Sequence, residues 1–167
     1  AEARGLPFEG AEFDALLAEF LEEYERAQAL TTLYPDVRAA LEGLAQAGYR
    51  LGLCTNKPLA PTRAVLRHFG LEALFAVVIG GDSLPVKKPD PAPLRATLAE
   101  MGGGAAVFVG DSEVDAETAQ AAAMPFLLYT EGYRKTAVDA LPHTAAFSDF
   151  KDLLALVTTG VSASAAP

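Results

Sequence analysis

The 167 residues carry a net charge of −9, with 51% hydrophobic and 21% charged side chains. That much apolar chain suffices for the core of one domain and excludes intrinsic disorder. No apolar run approaches the roughly 18 residues of a membrane helix, and an isoelectric point near 4.6 disfavours a nucleic-acid partner, whose phosphates would be repelled. The single cysteine, Cys54, excludes an internal disulfide framework and a CxxC zinc site. With no basic start followed by an apolar run at Ala1, we expect a soluble, cytoplasmic protein that touches neither membrane nor nucleic acid.

The first element is an amphipathic helix over Glu12 to Gln28, where Phe13, Leu16, Leu17, Phe20, Leu21 and Tyr24 recur at three- and four-residue spacing opposite an acidic face. Pro35 is placed to open a second helix over Val37 to Ala47, with Gly48 as its stop. Short apolar strands and helices then alternate. Tyr49 to Cys54 is predicted as strand, Pro58 to Phe69 as helix and Phe75 to Ile79 as strand. A Gly- and Pro-rich loop spans Gly80 to Asp90, followed by a helix over Pro91 to Met101. Ala105 to Val109 is the third strand, Glu113 to Ala123 a helix, Pro125 to Tyr129 the fourth strand and Ala145 to Phe147 a fifth. Phe150 to Val157 closes the fold as a helix, leaving residues 158–167 as a flexible tail. Strands without polar alternation, each followed by a helix, predict a Rossmann-like, doubly wound parallel α/β sheet from about residue 34 to 157.

Ligands of such sheets bind beyond the carboxyl ends of the strands. Three polar clusters fall there: Cys54-Thr55-Asn56-Lys57-Pro58, Lys87-Lys88-Pro89-Asp90-Pro91 and Gly110-Asp111-Ser112-Glu113-Val114-Asp115. Each admits a purely structural explanation. Thr55 or Asn56 suits the cap of the helix after Pro58, Asp90-Pro91 opens a helix, and Ser112 with Asp115 fits a capping box. Together they make a complementary chemical set. A hydroxyl and helix-terminal amides hold phosphate oxygens, and a lysine opposes their charge. A pair of acids beside an anion calls for a hard cation such as Mg2+ between them.

These residues, in this order, resemble three motifs of the haloacid dehalogenase superfamily: CTNKP the second, KKPDP the third and VGDSEVD the fourth, the G-D-x-x-x-D element. YPDV, CTNKP and PFLLYTEGYRK look most like the bacterial phosphoglycolate phosphatases of that superfamily. The resemblance, which runs from about Tyr34 to Phe150, implies an Mg2+-dependent phosphatase acting on a small phosphorylated organic acid, as monomer or homodimer. It implies that Thr55 and Asn56 bind the phosphoryl group and that Lys88 neutralises phosphate and orients the nucleophile. Asp111 would bind the metal directly, and Asp115 indirectly or through water. Residues 1–33 would then be the end of a helical cap domain.

One departure stands against these matches: the family's first motif, D-x-D-G-T, supplies the attacking aspartate, and the chain contains no D-x-D. In the family its strand lies between those that here end at Cys54 and Val109. Deleting it leaves two apolar strand edges unpaired, so we expect the sequence to be the carboxy-terminal part of a longer protein, with about 60 further residues before it. The alternatives are a sugar-phosphate mutase or another phosphatase of the superfamily, or an inactive phosphate- and Mg2+-binding fragment. His68 and His143 lack partners at metal spacing, and Cys54 reads as a core residue. Tyr133, Arg134 and Lys135 fall at the active edge, either as contacts to a substrate carboxylate or as a solvated loop.

Overall fold

The computed structural model describes residues 31–164 and, before them, Ala15 alone, which is helical and exposed. The helix expected over Glu12 to Gln28 otherwise lies outside the described residues. The chain divides into two compact units, Ala1–Leu33 and Tyr34–Pro167.

Among the described residues of the second unit, five α-helices and five strands alternate, save that the last two strands follow one another without an α-helix between them. In chain order they are α1 (Val37–Gln46), β1 (Leu51–Cys54), α2 (Leu59–His68), β2 (Phe75–Ile79), α3 (Ala92–Glu100), β3 (Phe108–Gly110), α4 (Glu113–Ala122), β4 (Phe126–Tyr129), β5 (Ala145–Phe147) and α5 (Leu153–Ser164). Every strand pairing among the described residues is parallel, as expected where each connection is a crossover of a dozen or more residues. Among the described residues no helix is long and apolar enough to cross a membrane.

β4 shows why the alternating chain folds in this way. All four of its residues are buried. Leu127 and Tyr129 join a cluster with Leu44, Phe147, Phe150 and Leu153, while Phe126 and Leu128 join Ala116, Ala119 and Leu141. Alternate side chains thus enter separate cores on opposite faces, which requires a continuous apolar run rather than a half-polar one.

Among the described residues the doubly wound sheet is divided in two, at the strand edges that the absence of the D-x-D-G-T strand led us to expect open: β1 pairs with β2, and the order β3-β4-β5 makes the other. Among the described residues, β1 and β3 each keep one edge without a strand partner. Between them lies an apolar slot of about 510 Å3, walled by Leu51, Leu53, Val107 and Val109 and closed by Leu94 and Leu153 from the helices. Beside this slot all of β3 and most of β1 are only half-buried.

Several boundaries differ from expectation, those of β3 and α5 by the most. β3 begins at Phe108 rather than Ala105, because its ladder opens with Phe108 N donating to Pro125 O and Pro125 has no N–H to return. α5 runs to Ser164, so residues 158–164 are helical and not a frayed tail. Its threonine hydroxyls find partners inside the helix: Thr158 Oγ1 donates to Leu154 O at 2.8 Å and Thr159 Oγ1 to Ala155 O at 3.0 Å.

The start of α2 is satisfied from a distance. Neither Thr55 nor Asn56 caps it. Asp82, beyond the end of β2, accepts from Leu59 N at 2.7 Å. We expect Asp82→Ala to lower stability by about 1 kcal/mol, the usual cost of a lost cap. Thermal melting would register this as a fall of a few degrees, whereas an unchanged melting temperature would refute the cap.

Candidate active site

The residues singled out in the sequence converge at the carboxyl ends of β1 and β3. Thr55 N extends the β1–β2 ladder by donating to Ile79 O at 3.0 Å, so the hydroxyl stands at the strand's end. That hydroxyl oxygen accepts from Lys57 N at 3.2 Å, which leaves its proton available to an acceptor outside the protein.

Asn56 reaches across to the loop after β2. Its Oδ1 accepts from Lys88 N and its Nδ2 donates to Lys88 O, both at 2.9 Å. The amide is thereby used at both ends to fix the Lys88 backbone, next to the cis Lys88–Pro89 peptide. Lys87 is exposed beside it.

The Lys88 ammonium joins the two sheets. Nζ donates to Cys54 O at 3.0 Å and to Asp115 Oδ1 at 2.6 Å, and it lies 5.4 Å from the centroid of the Phe108 ring. The Lys88 and Asp115 side chains retain 11% and 9% of their exposure. The ion pair is therefore dry enough that neither charge is stable without partners.

Asp115 has them. Its Oδ2 accepts from Ser112 Oγ at 2.6 Å and from the amides of Asp111 and Ser112 at 3.2 Å. Ser112 and Asp115 form the capping box of α4 anticipated from their spacing. Asp90 likewise caps as expected, with Oδ1 accepting from Ala92 N at 2.8 Å. With both carboxylate oxygens occupied, Asp115 orients Lys88 and the Asp111 turn. A residue larger than glycine at position 110 would not fit, since its Cβ would lie 2.5 Å from Asp115 Cβ.

Asp111 is arranged differently. Both of its side-chain hydrogen bonds go to Oδ2, from Tyr133 N at 3.2 Å and Tyr34 Oη at 3.4 Å, so among the described residues Oδ1 is left for an external ligand. Burial, and secondarily the Asp111 charge, push the Tyr34 hydroxyl up to about 12. It therefore remains protonated, and a donor, throughout the physiological range. Glu113 is held down to about 2 by the Thr136 amide first, together with its own backbone and the Lys135 amide.

The remaining candidates join this network through backbone atoms only, Cys54 by its carbonyl and Tyr133 and Lys135 by their amides, or not at all. Cys54 is buried, and burial raises its thiol above the ordinary value, with Lys88 opposing. It is a thiol of the core rather than a thiolate nucleophile. His68 packs edge-on against Phe69, and His143 Nδ1 pairs with Leu141 O at 2.8 Å. Tyr133 is 86% exposed, and Arg134 bonds Thr130 O. No cluster of three metal-ligating side chains occurs among the described residues.

Sequence reasoning missed Tyr34, Asp82, Glu113 and Gly132. Tyr34 lies 77 positions from its partner Asp111, and no local spacing joins them, although YPDV is part of the resemblance. Glu113 sits inside a motif whose recognisable spacing belongs to its aspartates.

Residues 2–123 match the family model of haloacid dehalogenase-like hydrolases. Over 139 residues the chain is 52% identical to a phosphoglycolate phosphatase of Cereibacter sphaeroides, covering 83% of this chain and 64% of that protein. A phosphoglycolate phosphatase of Rhodobacter capsulatus is 47% identical over 149 residues, 89% of this chain and 68% of the relative. The chain thus spans about two thirds of the length of these relatives. Among solved structures, a predicted phosphoglycolate phosphatase of Haemophilus somnus superimposes with a TM-score of 0.78 at 31% identity, over 93% of this chain and 71% of that one. From motifs, fold and relatives alike, the chain belongs to the haloacid dehalogenase-like hydrolase family.

Proposed function

We propose that this chain holds the phosphate and the cation in a phosphatase that hydrolyses a small phosphorylated acid, 2-phosphoglycolate, to glycolate and phosphate. The observation that carries this is the single ammonium of Lys88, bonded to Cys54 O at the end of β1 and to Asp115 at the start of α4. It ties the Thr55 strand end to the Asp111 turn, so that hydroxyl, cationic and carboxylate groups serve one anion. The names of relatives at 47% and 52% identity support the substrate.

The donor set fits Mg2+, which takes one or two carboxylates and completes its shell with phosphate oxygens and water. Asp111 would hold it through Oδ1, and Asp115 would act on it only indirectly. When bound, the ion supplies charge neutralisation at the phosphate. Thr55 donates its hydroxyl proton to a phosphoryl oxygen, and Lys88 opposes the charge of the phosphoryl group in the transition state.

The attacking carboxylate is not among the chain's motifs, since no D-x-D occurs. We place it at the end of a strand that fills the slot between β1 and β3. Its oxygen forms a bond to phosphorus as the ester P–O bond breaks, and the leaving alkoxide takes a proton from the second aspartate of the same motif, which recovers one from the water that attacks next. Water then attacks phosphorus, releasing phosphate and regenerating the carboxylate.

Calorimetric titration with Mg2+ should show binding that Asp111→Ala removes. With the nucleophile supplied, kcat/KM for 2-phosphoglycolate should exceed that for sugar phosphates by about tenfold or more. No binding by the unaltered chain, or no preference among phosphomonoesters, would refute the proposal.

A further inference from the structure

The Thr130–Thr136 loop that follows β4 is fastened to the start of α4 at two points. Glu113 Oε1 accepts from Lys135 N at 2.7 Å and from Thr136 N at 2.6 Å. Three residues earlier in the loop, Gly132 lies directly on Asp111: a Cβ there would come within 2.2 Å of both Asp111 Cβ and Oδ2. The next residue, Tyr133, donates its amide to that same Oδ2 at 3.2 Å, and Tyr34 adds its hydroxyl.

From this geometry we propose that Glu113 is a positioning residue. It clamps the loop onto α4, and the clamped loop, together with Tyr34, commits Oδ2 of Asp111 so that only Oδ1 faces a divalent cation. The inference deepens the functional reading above and rests on it. A carboxylate with both oxygens free can rotate or bind a cation through two oxygens. One whose second oxygen accepts two protein donors is held for single-oxygen coordination, which suits the octahedral demand of Mg2+ better than that of the larger, more permissive Ca2+. Hydrogen-bonded partners of metal ligands tune affinity in this way. Glycine at 132 allows the backbone to approach, and the Glu113 clamp supplies the reason it stays.

The test uses the 167-residue chain with Mg2+ as the probe and reads loop and cation separately. In Glu113→Ala, the amides of Tyr133, Lys135 and Thr136 should exchange with solvent about tenfold faster in metal-free protein, the loss expected for one hydrogen bond. The Mg2+ dissociation constant should rise about tenfold, the lower end for a lost orienting partner. Glu113→Gln, which keeps an acceptor oxygen, should recover most of both. Tyr34→Phe should weaken Mg2+ binding without loosening the Lys135 and Thr136 amides. Unchanged amide exchange in Glu113→Ala would overturn the clamp. Faster exchange with unchanged Mg2+ affinity would overturn its role at Asp111. Failure of the unaltered chain to bind Mg2+ would instead overturn the functional reading, and this inference with it.

Discussion

Fusing an apolar strand that ends in Asp-x-Asp-Gly-Thr ahead of the chain is expected to confer a phosphomonoester hydrolysis that the unfused chain is expected to lack, and to raise its melting temperature in the same step. The expectation starts from the two open edges. β1 and β3 belong to different sheets and flank an apolar slot of about 510 Å3, with backbone groups that one parallel strand would satisfy on both sides. Several side chains newly buried there contribute about 1.5–3 kcal/mol each before the entropy of ordering the strand is subtracted. At roughly 2–4 °C per kcal/mol for a chain of this size, a rise of about 10 °C is expected. Chemistry and packing separate cleanly in a second fusion whose first aspartate is asparagine. It should keep the thermal gain and lose the activity, since removing the nucleophile of a covalent mechanism costs on the order of 10⁶-fold. Turnover by the unfused chain, or a strand that changes neither melting nor activity, would refute the expectation.

The order of elements was legible because the signals are local: apolar runs too short for helices, glycine stops and proline starts. β4 was readable without reference to its neighbours, since four successive buried residues leave a continuous apolar run. The division into two sheets was not readable from periodicity, which says that Leu51 and Val109 face apolar surroundings but not which strands pair; only the absence of D-x-D pointed to the two open edges. The end of α5 was hidden because Thr158 and Thr159 look like tail residues until their hydroxyls bond to the preceding turn. At the site, Thr55, Asn56, Lys88, Asp111 and Asp115 all stand out by their motifs. What spacing could not supply was the direction of each bond. Asn56 spends its amide on the Lys88 backbone, and Asp115 spends both oxygens inside the protein. Tyr34, Asp82 and Glu113 act on partners 77, 23 and 22 or 23 positions away, distances at which only the folded chain makes neighbours.

Lys88→Met should lower the melting temperature by roughly 10 °C, through loss of about 3 kcal/mol, the usual cost of breaking a buried ion pair from one side. Methionine matches the stem in volume, so the change isolates the ammonium. Its loss leaves Cys54 O and Asp115 Oδ1 without that donor in a pocket where the carboxylate keeps only 9% of its exposure. Ser112 Oγ and the amides of Asp111 and Ser112 still hold Oδ2, which keeps the cost at the low end for such a cut. Lys88→Arg should not restore stability, because a planar guanidinium cannot place one compact charge between a carbonyl and a carboxylate at 3.0 and 2.6 Å. Adding Asp115→Asn to Lys88→Met should recover part of the loss, since the uncompensated charge is then gone. The double-mutant cycle would report a coupling of about 2 kcal/mol. In the strand-completed enzyme, Lys88→Met should also reduce kcat by on the order of 10³-fold. A Lys88→Met protein that melts within about 2 °C of the parent, or a cycle showing no coupling, would mean that the two sheets are held together by packing alone and that the ammonium is free to serve only the substrate.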